Sequence, residues 1–141
     1  MWTIGRSSCP PLESAKAAEH RLVWVGHVAG KRESRRLIGD YVLTQNDIAT
    51  ETLLADRVAY GVGGIDDHFP EGFFYNGPPA QHDYKDRRFS IPLRSLYSRN
   101  IENLLMAGRN ISASHVAMSA TRVMLTCAVM GQAAGTAAAM C

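Results

Sequence analysis

Residues 103–140 read NLLMAGRNISASHVAMSATRVMLTCAVMGQAAGTAAAM and contain the clearest structural pattern in the chain. The run at residues 104–107 is continuously apolar, which predicts a strand covered on both faces, as in a parallel sheet. Gly108 closes the run, a polar loop follows, and we expect a long helix from about Thr121 onward. A glycine at the carboxyl end of a strand, facing a helix N-terminus, predicts a site for an anionic or electron-rich ligand.

The predicted C-terminal helix has an unusual face of small residues. Ala128, Gly131, Gly135 and Ala138 fall on one side of it, so another backbone or a flat ligand can approach closely. Residues 123–141 carry no charge and are long enough to span a membrane. Their alanine-rich composition and the lack of an aromatic belt instead favour a helix buried in a large soluble protein.

The overall composition excludes several classes of protein. The chain has 141 residues, about one domain, with 46% hydrophobic and 20% charged residues, which is typical of globular proteins. A net charge of +2 is too small to indicate a nucleic-acid or membrane partner. Without an apolar signal segment near the N-terminus we expect a cytoplasmic protein. Cys9, Cys127 and Cys141 lie too far apart for a zinc or iron–sulfur motif.

The middle of the chain contains further strand and helix signals. Residues 22–28 and 37–43 are strand candidates by their β-branched and aromatic content. Thr44, followed three residues later by Asp47, resembles a capping box, which predicts a helix that starts near Gln45 and ends before residue 56.

Residues 61–88 are predicted to be a long loop, because they hold most of the glycine and proline turn signals. The same region is rich in phenylalanine and tyrosine. Two interpretations stay open: a lid or wall of a binding site, or a surface loop held down by its own aromatic side chains. A short strand is expected at residues 89–93.

Three sequence blocks together resemble the FAD-dependent oxidoreductase family. Residues 103–140 resemble the family's C-terminal motif almost throughout. GKRESRRLIGDYVLTQNDI, residues 30–48, resembles its R-E-S-R-R motif, and YGVGGIDDHFPEG, residues 60–72, is similar to its G-x-I-D-x-H segment. The blocks occur in the family's order, and the resemblance covers about residues 20–141. Some relatives, described as heterodisulfide reductase-like, carry iron–sulfur clusters, which the cysteines of this chain do not support.

The resemblance implies an FAD cofactor and hydride transfer between the flavin and a small-molecule substrate. Members of the family begin with a Rossmann unit carrying G-x-G-x-x-G, whereas the glycine cluster at residues 61–64 lacks the third glycine at that spacing. We therefore expect the C-terminal part of a two-domain flavoprotein that lacks the ADP-binding half.

This interpretation sets the expected fold class and partners. The fold class is α/β or α+β, with a mixed sheet and a long small-residue C-terminal helix. We divide the chain into a poorly defined segment at residues 1–20, a partial substrate domain at 21–100 and the C-terminal strand, loop and helix of the FAD-binding domain at 101–141. The expected partner is the missing Rossmann half, and self-association is left open. The alternative is a non-catalytic fragment or interaction domain that does not bind FAD alone.

The resemblance also assigns site residues. His115 is expected to exchange a proton as hydride moves, the alternative being a histidine that caps local backbone groups. Arg122 is expected to stabilise negative charge on the reduced flavin, the alternative being a surface arginine. Cofactor-binding positions lie on both sides of the predicted helix start: Gly108, Arg109, Thr121, Arg122, Val123, Met124, Gly131 and Gln132.

Substrate binding is assigned to the basic motif and to one histidine. Arg32, Arg35 and Arg36, with His68, are candidates for gripping an anionic substrate. The alternative for the arginines is an internal network with glutamate. Asp66, Asp67, His68, His82 and Asp83 fit no known metal-ligand spacing, so no metal site is predicted, and the two aspartates are expected to hold loop geometry.

Overall fold

The computed structural model describes residue 21 and residues 23–28, 35–71, 74–78 and 80–141. The chain divides into two compact units, Met1–Arg32 and Glu33–Cys141. In the first unit, residues 23–28 are irregular and Trp24 is exposed, so the predicted strand is not formed there, while its first residue, Leu22, lies outside the described residues. A strand needs hydrogen bonds from a neighbouring strand, and no such strand occurs in the described part of this unit.

A long β-hairpin dominates the second unit. Strand β1, Arg57–Asp67, pairs antiparallel with β2, Gln81–Pro92. The predicted loop at residues 61–88 is therefore wrong over most of its length, and the predicted strand at 89–93 is the end of β2. Gly61 does not mark a turn. A Cβ at this position would overlap the Phe89 ring, so the glycine makes room for the ring of its partner residue on the neighbouring strand.

The described residues of the connection between the strands, 68–71, 74–78 and 80, are the part of the predicted loop that the structure retains. In it, Phe69 and Tyr75 stack with their ring centroids 4.1 Å apart. This contact agrees with the interpretation of a loop held by its own aromatic side chains. Gly63 has a φ of 131° beside an irregularity in the ladder, where a residue other than glycine would be strained.

The predicted capping box is confirmed at helix α1, Gln45–Ala49. The carboxylate of Asp47 accepts hydrogen bonds from the backbone nitrogen and the hydroxyl of Thr44, each at 2.8 Å, and from the Tyr41 hydroxyl at 2.7 Å. Burial raises the pKa of Asp47, but these hydrogen bonds outweigh it and hold the pKa below its ordinary value. Ile48 anchors the helix in the core with no exposed surface.

Two of the predicted strands are replaced by single bridges. Leu43 forms an isolated parallel bridge with Ala113, and Leu105 an isolated antiparallel bridge with Tyr97. Residues 37–43 and 104–107 are otherwise irregular. Within the run only Met106 is buried, at 2% exposure, whereas Leu104, Leu105 and Ala107 are half-buried, so the expected cover on both faces is only partly present.

Two helices, where one was predicted, form the C-terminal region. Helix α2, His115–Thr121, precedes α3, Met124–Met140, and the two are bent by 93° at residues 122–123. Ser114 caps α2 by accepting a hydrogen bond from Ala117 N at 3.2 Å. Among the residues described, no single helix has the length and apolar character of a membrane span. The bent pair meets the criterion on length and composition alone.

The predicted fold class is confirmed as a mixture of helix and sheet that ends in a long small-residue helix. Within the described ranges the sheet is two-stranded and antiparallel, and parallel pairing is limited to the bridge at Leu43. Buried apolar side chains from the segments of the second unit form one core: Leu43, Ile48, Phe89, Ile91, Leu96, Met106, Ile111, Ala117, Ala120 and Met130.

We predict that Asp47→Ala lowers the free energy of unfolding by about 1–2 kcal/mol at neutral pH, because it removes the capping box and the bond from Tyr41. Since the pKa of Asp47 is lower in the folded protein, this stabilisation is present above the ordinary carboxyl pKa of about 4 and is lost as the pH falls through the folded value. Urea titrations followed by circular dichroism at neutral and acidic pH measure it. A difference from wild type that stays constant with pH would contradict the prediction.

Candidate functional site

A cluster of polar side chains forms where the end of β1 meets α2. The hairpin contributes two carboxylates and two imidazoles, most of them from the I-D-D-H residues 65–68. The helix region contributes His115, at the end of the S-A-S-H residues 112–115, and two residues that follow it. We call the set the polar cluster: Asp66, Asp67, His68, His82, His115, Ser119 and Arg122. The structure thus brings His68, His115 and Arg122 together from two separate sequence motifs.

His115 is held by acceptors on the hairpin. Its Nε2 lies 2.9 Å from Asp67 Oδ1 and 3.1 Å from the His68 carbonyl oxygen. The Ser119 hydroxyl donates to the same Asp67 oxygen at 3.1 Å. The side chains of His115 and Asp67 are 25% and 16% exposed, so the pair is partly shielded from water. The hairpin therefore fixes the orientation of the His115 ring through this one nitrogen.

Arg122 is paired with the neighbouring carboxylate. Its Nη2 donates to Asp66 Oδ2 at 2.7 Å and to the Asp66 carbonyl at 3.0 Å. His82 Nδ1 lies 2.8 Å from the other carboxylate oxygen. Burial raises the pKa of Asp66, but the attraction of His68, Arg122 and His82 outweighs it and lowers the pKa below its ordinary value. Asp66 therefore stays ionised at neutral pH and anchors the arginine.

The aspartates and histidines of the hairpin are engaged in these ion pairs. The described ranges contain no group of three or more histidine, cysteine, aspartate or glutamate side chains that could hold a metal ion. Asp83, the remaining carboxylate considered for a metal, instead pairs with Arg87 at 2.7 Å.

The glycine turn before α2 is formed as its sequence requires. Gly108 has a φ of 104°, a left-handed conformation that favours glycine, and Ile111 N donates to its carbonyl at 3.4 Å. Arg109, directly after the glycine, is exposed. Burial raises the pKa of the Cys127 thiol, while the charge of Arg109 acts in the opposite direction.

The predicted cofactor positions on the helices differ in exposure. Thr121 is fully buried and its hydroxyl turns back to the Met118 carbonyl at 3.5 Å. Val123 is 45% and Met124 88% exposed, so the first turn of α3 is open to solvent. Gly131 and Gln132 are exposed further along the helix, and a Cβ added at Gly131 meets nothing within 4 Å.

The basic motif lies beside a cavity of about 310 Å³. Arg35 and Arg36 line it with apolar side chains and with Ser112, whose buried hydroxyl has no hydrogen-bond partner among the described residues. Arg32, the third arginine predicted to bind substrate, lies outside the described residues. The cavity offers cationic and apolar surface to an anionic ligand.

Sequence reasoning missed the partners of His115 and Arg122. Asp66 and Asp67 were expected to hold loop geometry, and Ser119 was not considered. The D-D-H triplet at the end of a strand was the available signal, but the glycines at residues 61–64 concealed the strand itself.

The FAD dependent oxidoreductase family matches residues 6–141, and the chain belongs to that family. Membership implies an oxidoreductase that uses FAD. No curated protein and no solved structure matches the chain significantly.

We predict that Arg122→Gln loosens the hairpin from α2 and lowers the free energy of unfolding by roughly 1 kcal/mol, because two hydrogen bonds to Asp66 are lost. The effect stays small because the Asp66 carboxylate is 41% exposed and is screened by water. Urea titration of the variant measures it. Arg99→Gln, which removes a 3.8 Å surface pair with Asp40, is the control. Equal unfolding free energies for the two variants would contradict the prediction.

Proposed function

We propose that this chain supplies the isoalloxazine side of the flavin pocket in an FAD-dependent oxidoreductase that transfers hydride between a small-molecule substrate and the flavin. One observation carries the proposal: the long helix α3 begins with the exposed side chains of Met124 and Leu125, and the charge of Arg109, directly after the left-handed Gly108, acts on Cys127 in the same first turn. On the same motifs we propose kinship with heterodisulfide reductase-like relatives. An iron–sulfur cluster is not included, because the spacing of the three cysteines does not match a cluster motif.

The residues around this turn fit a flavin. The left-handed Gly108 has no side chain to obstruct a ligand, and Arg109 adds positive charge beside it. We assign these two residues to the ribityl chain, and residues 121–124 to the pyrimidine edge of the ring. Because the Thr121 side chain is buried, it would contribute backbone groups only. When bound, FAD supplies the acceptor for two electrons and a hydride.

We assign two tasks to the chain's own residues: stabilising negative charge and exchanging a proton. Unpaired N–H groups and the positive dipole end of α3 favour negative charge at its first turn. We assign His115 to proton exchange at the reacting centre, supported by its ion pair with Asp67 at 2.9 Å. We assign Arg122 to stabilising the reduced ring through its charge, although its Nη2 is already bonded to Asp66.

The substrate is proposed to be a small anion. Arg35 and Arg36 line the 310 Å³ cavity together with the buried Ser112 hydroxyl, which has no partner within the described ranges. This combination suits a carboxylate with an apolar portion. We place Arg32 and His68 in the same role on the sequence motif alone.

The small-residue face of α3 supports a second proposal, concerning the partner. Ala128, Gly131, Gly135 and Ala138 are all exposed in the second unit. We propose that the nucleotide-binding part of the same enzyme covers this face, and that self-association covers it otherwise. A role as a non-catalytic interaction domain is the alternative that this exposed face favours.

We predict that the 141-residue chain binds lumiflavin, the isolated ring, and FAD with roughly equal and weak affinity, and that it does not retain stoichiometric FAD on purification. The reason is that no G-x-G-x-x-G cradle is present in these residues to add contacts to the pyrophosphate. Fluorescence titration with both flavins measures the ratio. A strong preference for FAD, or no binding of either flavin, would overturn the proposed role.

Val123→Asp is a matched test of the helix start. Aspartate is favoured at the N-cap position that Val123 occupies, so the fold is not weakened, but its charge opposes a reduced flavin there. We expect reduced lumiflavin to bind about tenfold more weakly, equivalent to ~1.4 kcal/mol. Val62→Asp, the same change at an exposed position of the hairpin, is the control. Indistinguishable affinities in the two variants would count against the site.

A further inference from the structure

We infer that Asp67 is the positioning residue for His115: it fixes the proton of the imidazole on Nε2 and stabilises the ring when it is charged. This inference deepens the proposed function and rests on it, because His115 is the proposed proton-exchange group. It goes beyond the expectation that the aspartates of the I-D-D-H block hold loop geometry.

The contacts of one ring nitrogen determine the tautomer. Nε2 of His115 faces two acceptors, the Asp67 carboxylate at 2.9 Å and the His68 carbonyl at 3.1 Å. Neither atom can donate a proton at neutral pH, so Nε2 carries the hydrogen. In the neutral ring the lone pair then belongs to Nδ1, which is therefore the basic atom.

Asp67 is itself oriented by α2. Ser119 lies one helical turn after His115, so both side chains reach the same carboxylate oxygen. The Ser119 hydroxyl has a single proton, and its oxygen lies 3.1 Å from Asp67 Oδ1 and 3.3 Å from the His115 carbonyl, so the contact with the carboxylate is the shorter of the two. With Asp67 only 16% exposed, its charge acts on His115 through a poorly hydrated contact.

The other basic side chains of the polar cluster contact the neighbouring carboxylate, that of Asp66. Arg122, His82 and His68 lie 2.7, 2.8 and 3.4 Å from the carboxylate oxygens of Asp66. Asp66 therefore faces the guanidinium and the two hairpin imidazoles, and the Asp67 carboxylate faces His115 and Ser119. This division between adjacent aspartates is the geometric basis for assigning the positioning role to Asp67 rather than to Asp66.

Ring ¹⁵N–¹H correlation spectra of the 141-residue chain test the tautomer directly. We expect the pattern of the Nε2–H form for neutral His115 in the wild type. In Asp67→Asn the pH profile of the His115 ring resonances should move to lower pH, because the charge that stabilises the imidazolium is removed. Asp86→Asn, the same change at an exposed position of β2, should leave the profile in place.

Ser119→Ala separates charge from packing. It keeps the carboxylate beside His115, so we expect the Nε2–H form to persist and the pH profile to move less than in Asp67→Asn. A dominant Nδ1–H form in the wild type, or coincident profiles for Asp67→Asn and Asp86→Asn, would overturn the inference. A shift of the His115 pH profile in Ser119→Ala as large as the shift in Asp67→Asn would also overturn it.

With lumiflavin bound, the dependence of the flavin reduction potential on pH gives a readout that a merely structural ion pair would not move. We expect the inflection in the plot of reduction potential against pH to shift to lower pH in Asp67→Asn and to stay in place in Asp86→Asn. An unshifted inflection would refute the positioning role. If lumiflavin does not bind at all, the proposed flavin role fails, while the tautomer and pH profile still decide whether Asp67 controls His115.

Discussion

The ion pair between Asp66 and Arg122 is the contact on which the arrangement of the polar cluster depends. Arg122 stands at the bend between α2 and α3, and Asp66 stands near the end of β1. Two hydrogen bonds from a single guanidinium nitrogen therefore fix the hairpin relative to the start of α3. The side chain of Arg122 is 16% exposed while that of Asp66 is 41% exposed, so the pair lies at the edge of the folded unit, where water still reaches the carboxylate. The position of Asp67 beside His115 follows from the same attachment.

The features predicted correctly from sequence depend on neighbours in the chain. The capping box at Thr44 and Asp47 needs only residues three apart, and a helix after Thr121 needs only a local run of helix-forming residues. The features predicted wrongly depend on distant contacts. Gly61 was interpreted as a turn residue, yet its small size serves the ring of Phe89, 28 positions further along the chain. Glycine propensity cannot distinguish these two uses.

The candidate site shows the same limit. Resemblance to a family pointed to His115 and Arg122, and the structure brings both into one cluster. Their partners lie about 50 positions earlier in the chain, on a strand that the glycine pattern concealed. The strand predicted at residues 104–107 shows the reverse case. Its apolar composition correctly indicated the burial of Met106 but not of its half-buried neighbours, because an apolar run among irregular segments and one in a parallel sheet leave the same signature in sequence.

The bend at Arg122 separates a largely buried helix, α2, from a helix whose first apolar side chains are exposed. Before it, Thr121 and Ala117 are buried in the second unit. After it, Met124 and Leu125 are 88% and 82% exposed. Fully burying such a side chain is worth about 1.5–3 kcal/mol, so exposing two at one helix start forgoes a substantial stabilisation. The small-residue face that continues along α3 extends the same open surface. In the proposed flavin site, a helix start that is apolar in side chains but electropositive in backbone would complement a ring that is flat, apolar and negatively charged when reduced.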